Sequence, residues 1–149
     1  MANNYRRRVH NLITIIQKTA QDKGLPIKSE FPAWDDFTRF IAALPQKAQV
    51  QWLLYQLDFL EKPYPQVWSD EWETGNVSSF ESKEREMHTL YPELYAIIGP
   101  ARNQKWVDRI EQMLKEPGIH FIQVGLFHTL GPESIQTQLE RRGIHCQRM

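Results

Sequence analysis

Ile119-His120-Phe121-Ile122-Gln123-Val124, followed by Gly125-Leu126-Phe127-His128-Thr129-Leu130-Gly131-Pro132, is the stretch on which the fold class turns. Its first six residues are mainly β-branched or aromatic, a composition that suits an extended strand. Pro132 to Arg142 reads as a helix with Ile135 and Leu139 inward, Gly143 stops it, and Ile144 to Arg148 reads as a second strand. Together these predict a βαβ unit, whose right-handed crossover makes the two strands parallel. The loop bearing His128 then lies beyond the carboxyl end of a strand, where ligands bind in open α/β sheets, with Gly125 allowing the backbone to turn. The expected fold class is α/β, helix-rich, with a small, mainly parallel sheet.

Working back from this unit, apolar residues recur at helical spacing. Tyr5, Val9, Leu12, Ile13, Ile16 and Ala20 mark a first amphipathic helix that ends at Lys23-Gly24. Leu25 to Glu30 predicts a brief strand before Phe31-Pro32, a dipeptide that disfavours helix. Trp34, Phe37, Phe40, Ile41 and Leu44 line a second helix, with Asp35 and Asp36 at its positive end. Pro45 starts a third helix, whose predicted buried stripe is Val50, Leu53, Leu54, Leu57 and Leu60. Glu61 to Asn76 is irregular and rich in proline and tryptophan. Further helices are expected around Val77 to Leu90, over Pro92 to Ile98, and from Trp106 to Leu114, closed by Pro117-Gly118.

The 149 residues suit one domain, residues 1–149, and at 41% hydrophobic content they can fill a core. Eighteen basic and eighteen acidic residues cancel, which leaves no global field to concentrate nucleic acid or an anionic membrane face. Arg6-Arg7-Arg8 is a local patch best read as a solvated terminus. No apolar run follows it that could form an export signal, so the chain as written reads as cytoplasmic. A single cysteine, Cys146, excludes an internal disulfide framework and a multi-cysteine zinc site. The segments are too short and too charged to span a bilayer.

His128 is the leading candidate for chemistry, as a metal ligand or a general base, because imidazole exchanges its proton near neutral pH. The bland alternative is a loop histidine bonded to a carbonyl. Glu30 could bring a carboxylate to the same rim; otherwise it is a solvated or capping acid. Arg102 and Asn103 could hold an anionic or carbonyl group. His10, His88, His120 and His145 form no metal-ligand spacing. The sequence lacks P-loop, G-x-G-x-x-G and G-x-S-x-G patterns, which argues against the usual kinases, nucleotide-dependent dehydrogenases and serine hydrolases.

Several of these residues recur in a familiar order. Tyr91-Pro92-Glu93-Leu94-Tyr95, Arg102-Asn103 with Trp106 and Ile110, Phe121 to Gly131, and Leu139-Glu140-Arg141-Arg142-Gly143 resemble the end of a TraB/GumN-family domain. That group includes TIKI-like Wnt-inactivating proteases and the bacterial pheromone-shutdown protein. Upstream, Lys23 to Glu30 resembles the family strand that ends in a glutamate, and Ala43-Leu44-Pro45 with Gln49 resembles its next helix pair. The resemblance implies a fold related to the erythromycin-esterase and ChaN groups, here truncated, and a site made of two G-x-x-H motifs and a glutamate. On that carry-over Gly125 and His128 form the second motif. Glu30 and His128 would be catalytic and would hold a divalent cation (Mn, Co or Zn), and Arg102, Asn103 and Gly125 would bind substrate. No other G-x-x-H occurs in the sequence.

The resulting expectation is the C-terminal portion of a metal-dependent hydrolase or peptidase domain, inactive alone because the first motif is missing. The rival is a non-enzymatic module binding a peptide or small molecule, with Tyr64 to Trp72 lining its groove. Missing strands would uncover a sheet edge and favour self-association as a dimer; neither nucleic acid nor membrane is an expected partner.

Overall fold

The computed structural model describes residues 13–61 and 67–147. Among them the regular structure is helical: α1 (13–22), α2 (Asp36–Ala42), α3 (Gln46–Glu61), α4 (Val67–Thr74), α5 (Ser78–Leu90), α6 (Pro92–Ile98), α7 (Pro100–Met113), a 3-10 turn (Leu126–Thr129) and α8 (Ile135–Glu140). Arg6 to Arg8, Tyr64 and Arg148 lie outside the described residues.

Proline sets two of the helix starts, Pro92 as the sequence predicts and Pro100 six residues before the expected start at Trp106. Pro92 and Pro100 occupy first-turn positions of α6 and α7, where the missing N–H costs no bond. At α8 the Ser134 side chain accepts from the Thr137 amide at 3.2 Å, and Gly143, at φ +78, reverses the chain after its last turn. Other ends are closed by side chains distant in sequence. Gln51 of α3 accepts from the Leu94 amide in the first turn of α6 at 2.9 Å, and the buried Glu71 carboxylate accepts from the Ser79 amide at the start of α5. Gln49 donates to the Ala42 and Leu44 carbonyls left open at the end of α2.

Three apolar clusters hold these helices together. Leu44, Ala48, Tyr91 and Leu94 join α3 to α6; Trp68, Phe80 and Leu130 pack α4 and α5 beneath the 3-10 turn; Val107, Ile135 and Leu139 join α7 to α8. α6 lies between α3, α5 and α7 and links the clusters.

The expected α/β fold is corrected here: no strand or sheet occurs among the described residues. Residues 119–124 and 144–147 are not helical, but neither forms a ladder. Ile119, Phe121 and Ile122 face solvent, while Val124, Ile144 and Cys146 pack against the Val107 cluster. A β-branched run favours extended backbone, yet a strand also needs a partner in register, and an isolated pair of short segments is marginal in water. The predicted strand at Leu25 to Glu30 is absent for the same reason, with Leu25 and Ile27 exposed. The sheet edge expected to mediate self-association therefore has no counterpart here.

A second correction concerns α3. Val50, Leu53, Leu54, Leu57 and Leu60, expected to be buried, are 46–81% exposed. Ala48, Gln51, Trp52, Tyr55 and Phe59 take the inward face instead, against α2, α6 and Tyr91. Trp34 is also fully exposed and precedes α2. Trp68 packs on Phe80 in the second cluster, so it does not line a groove.

Candidate functional site

The first two turns of α7 carry Arg102, Asn103 and Trp106 on one side, and Val107, one turn after Asn103, anchors the buried edge of that side at 0% exposure. The 3-10 turn brings His128 against this surface, and the extended chain ahead of α2 brings Glu30. Glu30, Arg102, Asn103 and His128 thus form one contiguous group, in contacts different from those a shared cation would require.

Asn103 is the organising residue. It is 2% exposed; its Nδ2 donates to the Glu133 carbonyl at 2.8 Å and reaches the His128 carbonyl at 3.4 Å. With the amide nitrogen committed to two carbonyls, Oδ1 faces the His128 ring, 2.7 Å from Nδ1. Oδ1 can only accept, so Nδ1 carries the proton and Nε2 carries the lone pair. The ring also stacks on Trp106 at 4.5 Å between centroids. Burial and the neighbouring Arg102 charge push the His128 pKa down from 6.5 to about 4, with Glu30 opposing, so the imidazole is neutral at physiological pH.

Arg102 closes on Glu30. Its Nε lies 3.1 and 3.2 Å from the two carboxylate oxygens, Nη2 lies 2.6 Å from Oε2, and Nη1 reaches the Ile98 carbonyl. The guanidinium also lies over Trp106 and Phe31, at 4.7 and 5.4 Å from their centroids. Both Glu30 oxygens are therefore engaged by a cation that is itself packed between rings.

A divalent cation needs about three protein ligands. Of the expected pair, His128 Nε2 is ready to coordinate, while Glu30 would first have to leave Arg102. Among the described residues no group of three histidine, cysteine, aspartate or glutamate side chains could hold a metal ion. The residues present do not fit the cation that the resemblance implies.

Gly125 contributes less than expected. Its φ is −66°, which any residue adopts, and a Cβ there would meet only the His128 ring at 3.8 Å. At this turn the conformational demand falls on Gly131, at φ +74 and packed against the Glu84 carboxylate. Glu84 is 7% exposed and accepts from the Tyr95 hydroxyl. Burial and that carboxylate hold the Tyr95 phenol well above its usual range. Sequence reading missed Trp106 and Glu84 as site supports. Trp106 sits four residues after Arg102 and three after Asn103, the spacing of one helix face, and that signal was legible; nothing in the local sequence singles out Glu84.

Among the described residues no helix is long and apolar enough to cross a membrane. No curated protein and no solved structure matches the chain. The model of the TraB/PrgY/gumN family matches residues 6–148, nearly the whole length, and the chain belongs to that family.

Proposed function

We propose that this chain acts as a non-enzymatic binding module, with a peptide or small polar molecule as ligand at the α7 rim, and that it hydrolyses nothing by itself. The observation that carries this reading is the closed Glu30–Arg102 pair, which leaves His128 Nε2 as the single ready donor atom. A neutral Nε2 with a fixed tautomer is a directional acceptor for an N–H or O–H of a ligand. The Trp106 ring beside it supplies an apolar wall, as small-molecule sites use.

A second reading, a metal-dependent hydrolase or peptidase, draws support from one feature. An imidazole whose Nδ1–H is bonded to a side-chain oxygen is dressed as metal-bound histidines usually are. Melting curves of the wild type and His128→Ala with Mn, Co and Zn separate the two. The binding reading expects the metals to leave the difference between the proteins unchanged. It also expects short peptides, followed by NMR, to shift the His128 ring nitrogens. A metal that raises the melting temperature of the wild type alone, or that elicits peptide hydrolysis, would overturn it.

A further inference from the structure

α3 is apolar on two opposite faces. At about 100° per residue, Ala48, Trp52, Tyr55 and Phe59 centre on one side, and Val50, Leu53, Leu54, Leu57 and Leu60 centre on the other, about 180° away. The first set packs on α6 and Tyr91. The second covers about 120° of the circumference over about three turns and is 46–81% exposed. A helix apolar on both sides belongs in an interior, and the described residues provide an interior for one side only.

We infer that the outer face of α3 pairs antiparallel with the same face of a second copy, making the protein a symmetric homodimer. Two observations favour a second copy over an unrelated partner. The first is charge: Lys47, ion-paired with Glu93 of α6 but still largely exposed, lies at the N-terminal rim of the stripe and Glu61 at its C-terminal end, so under a two-fold axis Glu61 of one copy can join the Lys47 of the other. With the axis between Leu53 and Leu54, Val50 meets the copy's Leu57, Leu53 meets Leu54, and Lys47 falls beside Glu61 at both ends. Antiparallel helices also set their end charges against opposite ones. The second is area: the five side chains expose roughly 500 Å² of mainly apolar surface, at the upper end for a monomer's largest patch. That matches the apolar share, a little over half, of a standard interface of about 800 Å² per partner. The proposal uses no residue of the α7 rim and stands independently of what binds there.

Sedimentation equilibrium of the full chain should give twice the monomer mass at micromolar concentration. Leu53→Glu/Leu57→Glu should give a monomer with unchanged helical circular dichroism, because both side chains are exposed in the single chain. Glu61→Lys should set lysines against lysines at both ends and weaken dimerisation about tenfold at low salt, with the loss reduced as salt is added. Leu54→Cys in a Cys146→Ser background should cross-link the copies on mild oxidation. A wild type that is monomeric throughout, or a dimer untouched by the double glutamate variant, would overturn the inference. If the double variant loses its helical signal, an undiminished dimer in Glu61→Lys together with no cross-link through Leu54→Cys overturns it equally.

Discussion

Lowering the pH from 7 to 4 should destabilise the chain through one side chain, His128. In the folded chain its imidazole titrates at about 4 and in the unfolded chain near 6.5, because burial disfavours the charged ring and Arg102 repels it, while Glu30 works the other way. Between these values the folded state binds fewer protons than the unfolded state. The contribution is therefore fully present above pH 6.5 and is lost as the pH falls towards 4. At 1.36 kcal/mol per pH unit the gap corresponds to about 3 kcal/mol, and because the ring is only partly buried, solvent screening lowers this to about 2. Urea unfolding of the wild type and His128→Gln across this range isolates the effect, since the remaining titrating groups are common to both. The stability advantage of the wild type should shrink by about 2 kcal/mol from pH 7 to pH 4. NMR titration of the ring should show a midpoint near 4 and, at neutral pH, the proton on Nδ1. A midpoint near 6.5, or a wild-type advantage constant with pH, would refute the reasoning.

Two further outcomes test what holds the rim. Gly131→Ala should cost about 2–3 kcal/mol, from a φ of +74 that alanine resists and a Cβ set 2.8 Å from the buried Glu84 Oε1. Gly24→Ala, at φ +63 with nothing within 4 Å, should lose only the conformational part, about 1 kcal/mol, and comparing the two melting temperatures separates the terms. Asn103→Leu keeps the volume but strands the His128 Nδ1–H and leaves the Glu133 carbonyl with Gln138 as its donor, and should destabilise by about 1–3 kcal/mol in denaturant unfolding.

Much of the helical frame was legible because its signals are local. Pro92 marks a helix start, Gly143 marks a stop, and in the stripe Trp34, Phe37, Phe40, Ile41 and Leu44 all but the exposed Trp34 pack inward on or just after α2. The grouping of Glu30, Arg102, Asn103 and His128 was legible from the order of family-like motifs. Its geometry was not, because the choice of Arg102 as the partner of Glu30 is made 72 positions away in sequence. The sheet misled for a related reason: Ile119 to Val124 records a preference for extended backbone, whereas a ladder is a property of two segments. The stripe on α3 misled because periodicity shows that a face is apolar and is silent on what covers it. On α3 both faces carry apolar residues, and Gln51, which looks polar, is the side chain buried against α6.

The absence of a sheet under the His128 turn raises the question of what fixes the turn. The support comes from below. Glu84, held by Tyr95, packs where a side chain on residue 131 would sit, so that position takes a glycine, which also adopts φ +74. That conformation sets the start of the 131–134 segment, which delivers the Glu133 carbonyl to Asn103 and the Ser134 side chain to the first turn of α8. Asn103, with its amide orientation decided by that carbonyl, then decides the tautomer of His128. A buried carboxylate on α5 is thus coupled to the lone pair at the rim through an unbroken series of contacts. Apart from the packing of Glu84 on Gly131, the links are polar groups that would be costly to leave unpaired. A loop held this way keeps its geometry without neighbouring strands, and that is why the rim can be ordered although, among the described residues, nothing covers the outer face of α3.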